Sequence, residues 1–230
     1  MPTIADNINT IRSNIAEAAG RSGRSPGDIT LIGVTKTVDI PKIRAMIECG
    51  VTDIGENKVQ ELSLKHSEIN NHNISWHMLG HVQSNKIRQV VSLGCMIHSV
   101  ESLASAEAIG IASERLSTTT DILIEINIAG EETKYGIRPD QAAEFIKTAA
   151  EYKNVRVRGL MTIAPFIDET DKIRSYFKKM HELYIDIREK CVNNVSIDIL
   201  SMGMTNDYQI AVEEGSNMVR IGTGIFGARS

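Results

Sequence analysis

The stretch Ile29-Thr30-Leu31-Ile32-Gly33-Val34-Thr35-Lys36 decides how the rest of this chain is read. It is a short, β-branched apolar run that ends in a lone lysine, with the helix-start residues Asp39 and Pro41 just beyond. A run of this kind is a strand buried on both faces, as strands of parallel sheets are. A helix starting directly after it makes it the first strand of a βα unit. A lysine at the carboxyl end of a barrel strand stands on the face where barrels carry their chemistry. Desolvation there favours the neutral amine, which can attack an aldehyde and form a Schiff base. The bland alternative is a surface lysine whose stem lies along the strand end.

The alternation continues outward from this unit. Strand patterns fall near 30–35, 53–55, 76–79, 96–98, 121–127, 156–161, 197–200 and 218–221, with helical patterns near 40–49, 57–69, 84–92, 102–115, 139–152, 169–191 and 206–214 between them. Strands alternating with helices imply a parallel sheet, and their number favours closure into a single (β/α)8 TIM barrel over an open doubly wound sheet. Ile4, Ile8, Ile11 and Ile15 share one face of an N-terminal helix over 3–20. Few residues follow the last strand, and the chain stops at Ser230. The N-terminal helix is therefore expected to close the barrel seam. No linker or low-complexity stretch divides the sequence, so residues 1–230 are expected to form one domain.

Composition narrows the classes. A length of 230 residues suits one barrel, and 42% hydrophobic with 23% charged residues is ordinary for a globular chain. Net charge is −4 with the signs interspersed, which argues against nucleic acid as a partner. Cys49, Cys95 and Cys191 are scattered, which suits a reducing compartment and supports neither a disulfide framework nor a zinc site. No apolar run approaches the roughly 18 residues of a membrane span. Asp6 and Asn7 interrupt any signal-like core. A cytoplasmic chain is expected, in which the sequons at Asn73 and Asn194 are chance matches.

The unusual polar residues cluster just after the strands: Gly55-Glu56-Asn57, Gly80-His81, Asn127, Met161-Thr162, Ser201-Met202-Gly203-Met204-Thr205 and Gly222-Thr223-Gly224. Barrels often bind phosphate with the loops after strands seven and eight. Glycines there admit phosphate oxygens to backbone N–H groups, and the hydroxyls of Ser201 and Thr223 can donate as well. A lysine on strand one and a phosphate cradle on strands seven and eight are neighbours in a closed barrel. Pyridoxal 5′-phosphate (PLP), an aldehyde that bears a phosphate, fits between them. Arg220 lies within strand eight on the face opposite Val219 and Ile221. Turned inward, it would meet the pyridine nitrogen and, always cationic, leave it unprotonated. The alternative is an Arg that turns outward or pairs with a carboxylate such as Glu213.

Two patterns mislead. Gly222 to Gly227 spells GxGxxG, but the chain ends soon after, with no helix for a pyrophosphate and no acidic residue about 20 positions on. His77 and His81 have zincin-like spacing without the intervening Glu. On a strand they would lie about 13 Å apart, too far for one metal, so hydrogen-bonding roles are expected.

Five segments carry a resemblance: Gly33-Val34-Thr35-Lys36-Thr37; GENKVQE from Gly55 to Glu61; WHMLGHVQSNK from Trp76 to Lys86; INIAGEETKYG from Ile126 to Gly136; and LSMGMTND with MVRIGTGIFG, from Leu200 to Asp207 and Met218 to Gly227. In order and spacing they resemble the pyridoxal phosphate homeostasis protein family. The resemblance implies a fold-type III barrel similar to the N-terminal domain of alanine racemase, with PLP held as an internal aldimine on Lys36. It implies that Ser201, Gly203, Gly222 and Thr223 bind phosphate and that Arg220 meets the pyridine nitrogen. Asn57 is implied as a ring neighbour, with Met204 and His81 lining the pocket. It further implies a cofactor reservoir without demonstrated catalysis, with apo PLP-dependent enzymes as recipients; a monomer or at most a weak dimer is expected because the N-terminal helix can close the seam and the domain that racemases use to dimerise is absent from this sequence. The rival expectation is an amino-acid racemase or decarboxylase on the same barrel, which would need a second base from a C-terminal domain that this sequence does not carry. Lys58 stands where many relatives have Tyr, and Val38 where several have a second Lys; Lys134 is retained in the loop after strand five.

Overall fold

The computed structural model describes residues 2–131, 133–190 and 196–227. Glu132 of the strand-five loop segment, Cys191, the sequon residue Asn194 and Ser230 lie outside the described residues. The chain folds as α1 (Ile4–Arg21), β1 (Thr30–Val34), α2 (Ile40–Glu48), β2 (Asp53–Glu56), α3 (Val59–Ile69), β3 (Ser75–Met78), α4 (Ile87–Ser92), β4 (Met96–Val100), α5 (Leu103–Arg115), β5 (Thr120–Glu125), α6 (Ala142–Ala149), β6 (Val155–Met161), α7 (Thr170–Lys190), β7 (Ile199–Ser201), α8 (Tyr208–Glu213), β8 (Met218–Ile221) and α9 (Thr223–Phe226). The eight parallel strands close in chain order, with β8 paired to β1 through Thr30↔Met218 to Gly33↔Ile221.

Local chemistry explains most of the boundaries. Thr3 caps α1 reciprocally: its hydroxyl accepts from the Asp6 N–H, and the Asp6 carboxylate accepts from the Thr3 N–H. Asp39 caps α2, with Pro41 in the first turn. Before α4 and α6 the expected helices begin as short 3₁₀ turns, Ser84–Lys86 and Pro139–Gln141. Strand β5 ends at Glu125, two residues short of the expected 127. There the chain folds back, so that the Asn127 N–H donates to Ile137 O.

The core lies between barrel and helices. α1 buries Ile8, Ile11, Ile15, Ala18 and Ala19 and packs against α8, α9 and α2. Each buried Ile contributes about 1.5–3 kcal/mol relative to exposure. A helix after β8 was not expected from the sequence, yet one turn forms there. The N–H groups of Ile225 and Phe226 both donate to Gly222 O, Ile225 is buried, and Asn7 Nδ2 of α1 donates to Ile225 O at 2.9 Å. Strands β6 and β7 approach so closely at Gly159 that a Cβ there would lie 1.8 Å from Ile199 O, so only glycine fits. In α7, Ile173, Phe177, Met180, Tyr184 and Ile187 face inward while Lys172, Lys178 and Lys179 are exposed. No helix among the described residues is long and apolar enough to cross a membrane.

Candidate functional site

Lys36 sits in a tight turn after β1. The Val38 N–H donates to Thr35 O at 2.9 Å, and Thr37 has φ 64°, a left-handed conformation that a β-branched residue rarely adopts. A buried charged group from β2 and α3 holds this turn. Lys65 Nζ donates to Thr35 O at 2.7 Å, to Glu56 Oε1 at 2.6 Å and to Glu61 Oε2 at 3.1 Å. The Thr35 hydroxyl donates to Glu56 Oε1 at 2.5 Å, and the Thr37 N–H donates to Glu61 Oε2 at 2.8 Å. The residues on both sides of Lys36 are thus tied to the same three charged side chains. Burial pushes the Glu56 carboxyl above its ordinary range, against the opposing pull of Lys65 and Thr35. Its second oxygen, Oε2, is buried with no hydrogen-bond partner among the described residues. Burial also works against charge on Glu61, but the Thr37 N–H and Lys65 outweigh it and hold that carboxyl below its usual range.

The inside of the barrel is only partly apolar. Ile32, Leu123, Met161 and Met218 pack together there, and a line of polar side chains crosses beside them. Arg220, on the face opposite Val219 and Ile221, takes the inward of the two readings left open and is 4% exposed. Its Nη1 donates to Ser201 Oγ at 2.6 Å and its Nη2 to Thr162 O at 2.9 Å. Ser201 Oγ lies 3.4 Å from His98 Nδ1, His98 Nε2 lies 3.0 Å from His77 Nδ1, and His77 Nε2 lies 3.0 Å from Asp53 Oδ1. Burial lowers the Arg220 pKa to about 10, opposed by Asp207 and Glu125, so it stays cationic at neutral pH. Burial, then His77 and Arg220, hold His98 well below its ordinary pKa. Burial and the charge of Glu101 push Glu125 up to about 7, against Arg220. The alternative partner considered for Arg220, Glu213, is instead held by Arg21 and Arg174 on the outer surface.

Lys36, Asn57, Met204, Arg220, Gly222 and Thr223 border one cavity of about 500 Å³ at the carboxyl ends of the strands. Ser201 and Gly203 are buried and lie outside its walls. Gly203 has φ 95°, and a Cβ there would lie 2.5 Å from the Ala211 Cβ, so this glycine turns the chain off β7 under α8. His81 stands apart from the cavity. Its Nδ1 lies 2.9 Å from Glu101 Oε1, its ring stacks on Tyr135, and its side chain is 43% exposed. Both His77 and His81 make polar contacts to carboxylates, in line with the hydrogen-bonding roles expected for them.

Several residues of this face were given no binding role from the sequence. Thr205 borders the cavity, and its hydroxyl accepts from Thr223 Oγ1 and from the Gly224 N–H, both at 3.2 Å. The loop after β6 supplies Ile163, Pro165 and Phe166 to the rim, with Phe166 87% exposed. His98 and Lys65 act from beyond the cavity. Their signals in the sequence were a histidine inside an apolar strand and a Glu61/Lys65 pair at helical spacing; neither pattern reveals its partners.

An amine, a buried cation, hydroxyls and the backbone at Gly222 and Thr223 thus meet at one opening. Comparison with known proteins agrees with that chemistry. Residues 7–230 match the family model described as alanine racemase, N-terminal domain. The pyridoxal phosphate homeostasis protein of Aquifex aeolicus is 36% identical over 224 residues, covering 97% of each chain. That of Escherichia coli K12 is 37% identical over 233 residues, covering 100% of this chain and 98% of that one. The structure of PipY from Synechococcus elongatus with PLP bound matches with a TM-score of 0.85 at 29% identity, covering 98% of this chain and 100% of that one. A chain matched from end to end at this identity belongs to the pyridoxal phosphate homeostasis protein family, on the barrel of the alanine racemase N-terminal domain.

Proposed function

We propose that this protein holds PLP on Lys36 and serves vitamin B6 homeostasis as a single-domain, non-catalytic, monomeric carrier in the cytoplasm, with apo PLP-dependent enzymes as recipients. The observation that carries this reading is the meeting of Lys36, Arg220, Gly222 and Thr223 at one cavity, in a family that includes a member solved with PLP bound. The donor set fits the cofactor: an amine for an aldehyde, hydroxyls and backbone N–H groups for a phosphate, and a buried cation for a ring nitrogen. When bound, PLP supplies an aldehyde for a Schiff base with the Lys36 amine. The clamp of Glu56, Lys65 and Glu61 orients the turn that presents this amine. Thr205, Thr223 and the backbone at Gly222 would bind the phosphate. Arg220 donates to the ring nitrogen and, being cationic, leaves it unprotonated. Asn57 and Met204 would flank the ring, whereas His81, held by Glu101 and Tyr135, stands apart from the cavity. Ser201 serves the site through Arg220, and Gly203 by turning the chain toward the phosphate loop.

The absence of turnover is supported by the chemistry of the walls. Among the described residues that border the cavity there is no Tyr, His, Cys or Glu. The relatives are named for homeostasis, not for a reaction. The scattered cysteines support a reducing, cytoplasmic setting. The deciding experiment is the visible absorption of the purified protein beside Lys36→Ala, with borohydride reduction and peptide mass spectrometry. We expect reduced PLP on Lys36 and none in the variant; reduced PLP on another lysine with Lys36 unmodified overturns the assignment.

A further inference from the structure

We infer that Ser201, His98, His77 and Asp53 form a one-way hydrogen-bond chain that positions Arg220 from the opposite face of the barrel, with His98 as its central positioning residue. What Arg220 faces rests on the proposed PLP site; the chain itself belongs to the protein alone.

The direction follows from the chemistry of the two ends. A guanidinium carries only donors, so Ser201 Oγ accepts from Arg220 Nη1. The single hydroxyl hydrogen of Ser201 is then left for its other close polar neighbour, His98 Nδ1 at 3.4 Å. In that arrangement the ring nitrogen is bare. His98 is fully buried, and the polar groups in contact with it are His77 and Ser201, with the cation of Arg220 nearby; no carboxylate reaches it. The ring is therefore neutral and carries its hydrogen on Nε2, which donates to His77 Nδ1 at 3.0 Å. His77 in turn carries its hydrogen on Nε2 and donates to Asp53 Oδ1, a carboxylate that only accepts. With a cation at one end and a carboxylate at the other, this is the direction in which every step pairs a donor with an acceptor while both rings stay neutral; the reverse requires a second proton on His77.

The chain locks a hydroxyl that would otherwise rotate. With its hydrogen held by His98, Ser201 presents a lone pair to Arg220. If that hydrogen turned toward Arg220 instead, donor would face donor, and the guanidinium would keep only Thr162 O of its two recorded partners. The 3.4 Å step is the longest of the four, and it is where the chain gives way first. Asp53 belongs to the amino end of β2 and is partly exposed, so the position of Arg220 is anchored on the far side of the barrel from the cavity.

The test has two arms. In the first, nitrogen NMR of the ligand-free protein reads the histidine tautomers: we expect Nδ1 bare and Nε2 protonated in both His98 and His77. Protonated Nδ1 in His98 overturns the inference, whether or not PLP binds. In the second arm, PLP affinity and the visible band of the loaded protein are compared for wild type, His98→Leu and His98→Gln. A glutamine amide can accept from Ser201 with its oxygen and donate to His77 with its nitrogen, which keeps the direction of the chain. The expected result is about tenfold weaker PLP binding and a displaced band in His98→Leu, with most of both restored in His98→Gln. A wild-type band and affinity in His98→Leu, or a glutamine variant indistinguishable from leucine, overturns it. Where His98→Leu does not fold, Ser201→Ala takes its place, with the same displaced band expected and a wild-type band overturning the inference. A wild type that binds no PLP defeats the proposed function and leaves the tautomer result standing.

Discussion

Lys65 Nζ lies 2.7 Å from the carbonyl oxygen of Thr35, the residue just before Lys36. A lysine of α3 thereby holds the end of β1 directly, and its other two contacts, Glu56 and Glu61, bind the Thr35 hydroxyl and the Thr37 N–H. Three charges that could have been solvated are instead placed beneath one turn. Such a buried group is costly to assemble and more costly to break. Its placement beside Lys36 fits a role in holding Thr37 at its left-handed φ of 64°.

Lys65→Met should therefore destabilise the protein by about 3–5 kcal/mol, because it leaves Glu56 charged, buried and without its cation. Adding Glu56→Gln should recover part of that loss, since the stranded charge is gone. Chemical denaturation of the three proteins measures both effects. A single variant with a wild-type midpoint would mean that the clamp contributes nothing to the fold.

The hydroxyls divide by position. Thr205 and Thr223 border the cavity and touch each other, whereas Ser201 lies behind Arg220. A hydrogen bond to a charged group is worth about 1.5–3 kcal/mol. Thr205→Ala with Thr223→Ala should then weaken PLP by about 10²-fold or more while sparing pyridoxal, which lacks the phosphate. Ser201→Ala should weaken PLP and pyridoxal alike. Equilibrium dialysis with both vitamers distinguishes the pattern, and equal PLP affinity in wild type and the threonine double variant removes the phosphate assignment.

The barrel was legible because its signals are local and repeated. Apolar runs with helix starts after them return along the chain, and the observed strands fall where those runs stand, as at β1 and β8. Period-two alternation set Arg220 opposite Val219 and Ile221, but that it turns inward was decided only by its contacts with Ser201 and Thr162. The supporting groups were not legible, because each depends on contacts distant in sequence. Glu61 and Lys65 at i, i+4 look like an ordinary exposed helical pair; only packing of α3 against the end of β1 makes Lys65 a buried ligand of Thr35. His98 meets Ser201 across 103 positions of sequence. Thr205 and Ser201 are chemically alike and four positions apart, and the turn at Gly203 decides which of them reaches the cavity. The turn of α9 depends on the Gly222 carbonyl and on Ile225 reaching α1.

Glu125 predicts a pH dependence. Its folded pKa of about 7 stands above the ordinary 4.5, chiefly through burial. Between those values the folded chain keeps a proton that the unfolded chain has lost. The stabilising effect of this group is thus fully present below about pH 4.5, falls as pH rises through 7, and is constant above. The total change is at most about 3 kcal/mol. Glu125→Gln removes the titration, so the variant should gain stability relative to wild type on going from pH 5 to pH 8. Denaturant midpoints at the two pH values test this; a difference between variant and wild type that does not change with pH refutes the raised carboxyl.

The purified, PLP-loaded protein should show no racemase, decarboxylase or transaminase turnover on amino acids. Arg220 stays cationic, with a pKa of about 10 even after burial, and cannot give a proton to the ring nitrogen that the proposed site sets against it. A ring left unprotonated is a weak sink for negative charge developing at an amino-acid Cα. Racemisation also needs a base on each side of that carbon. Lys36 supplies one, but among the described cavity walls no Tyr, His, Cys or Glu supplies another. The carboxylates that do line it are Asp168 and Asp207, and Asp207 is engaged with the Met204 N–H at 2.5 Å. General acid–base catalysis by a well-placed second group is worth about 10²–10⁴-fold, so a site without one turns over more slowly by that order. Each proteinogenic amino acid, assayed for deuterium exchange at Cα and for product, gives the measurement. Turnover near the rate of ordinary PLP enzymes that Lys36→Ala abolishes would establish an enzyme and displace the carrier.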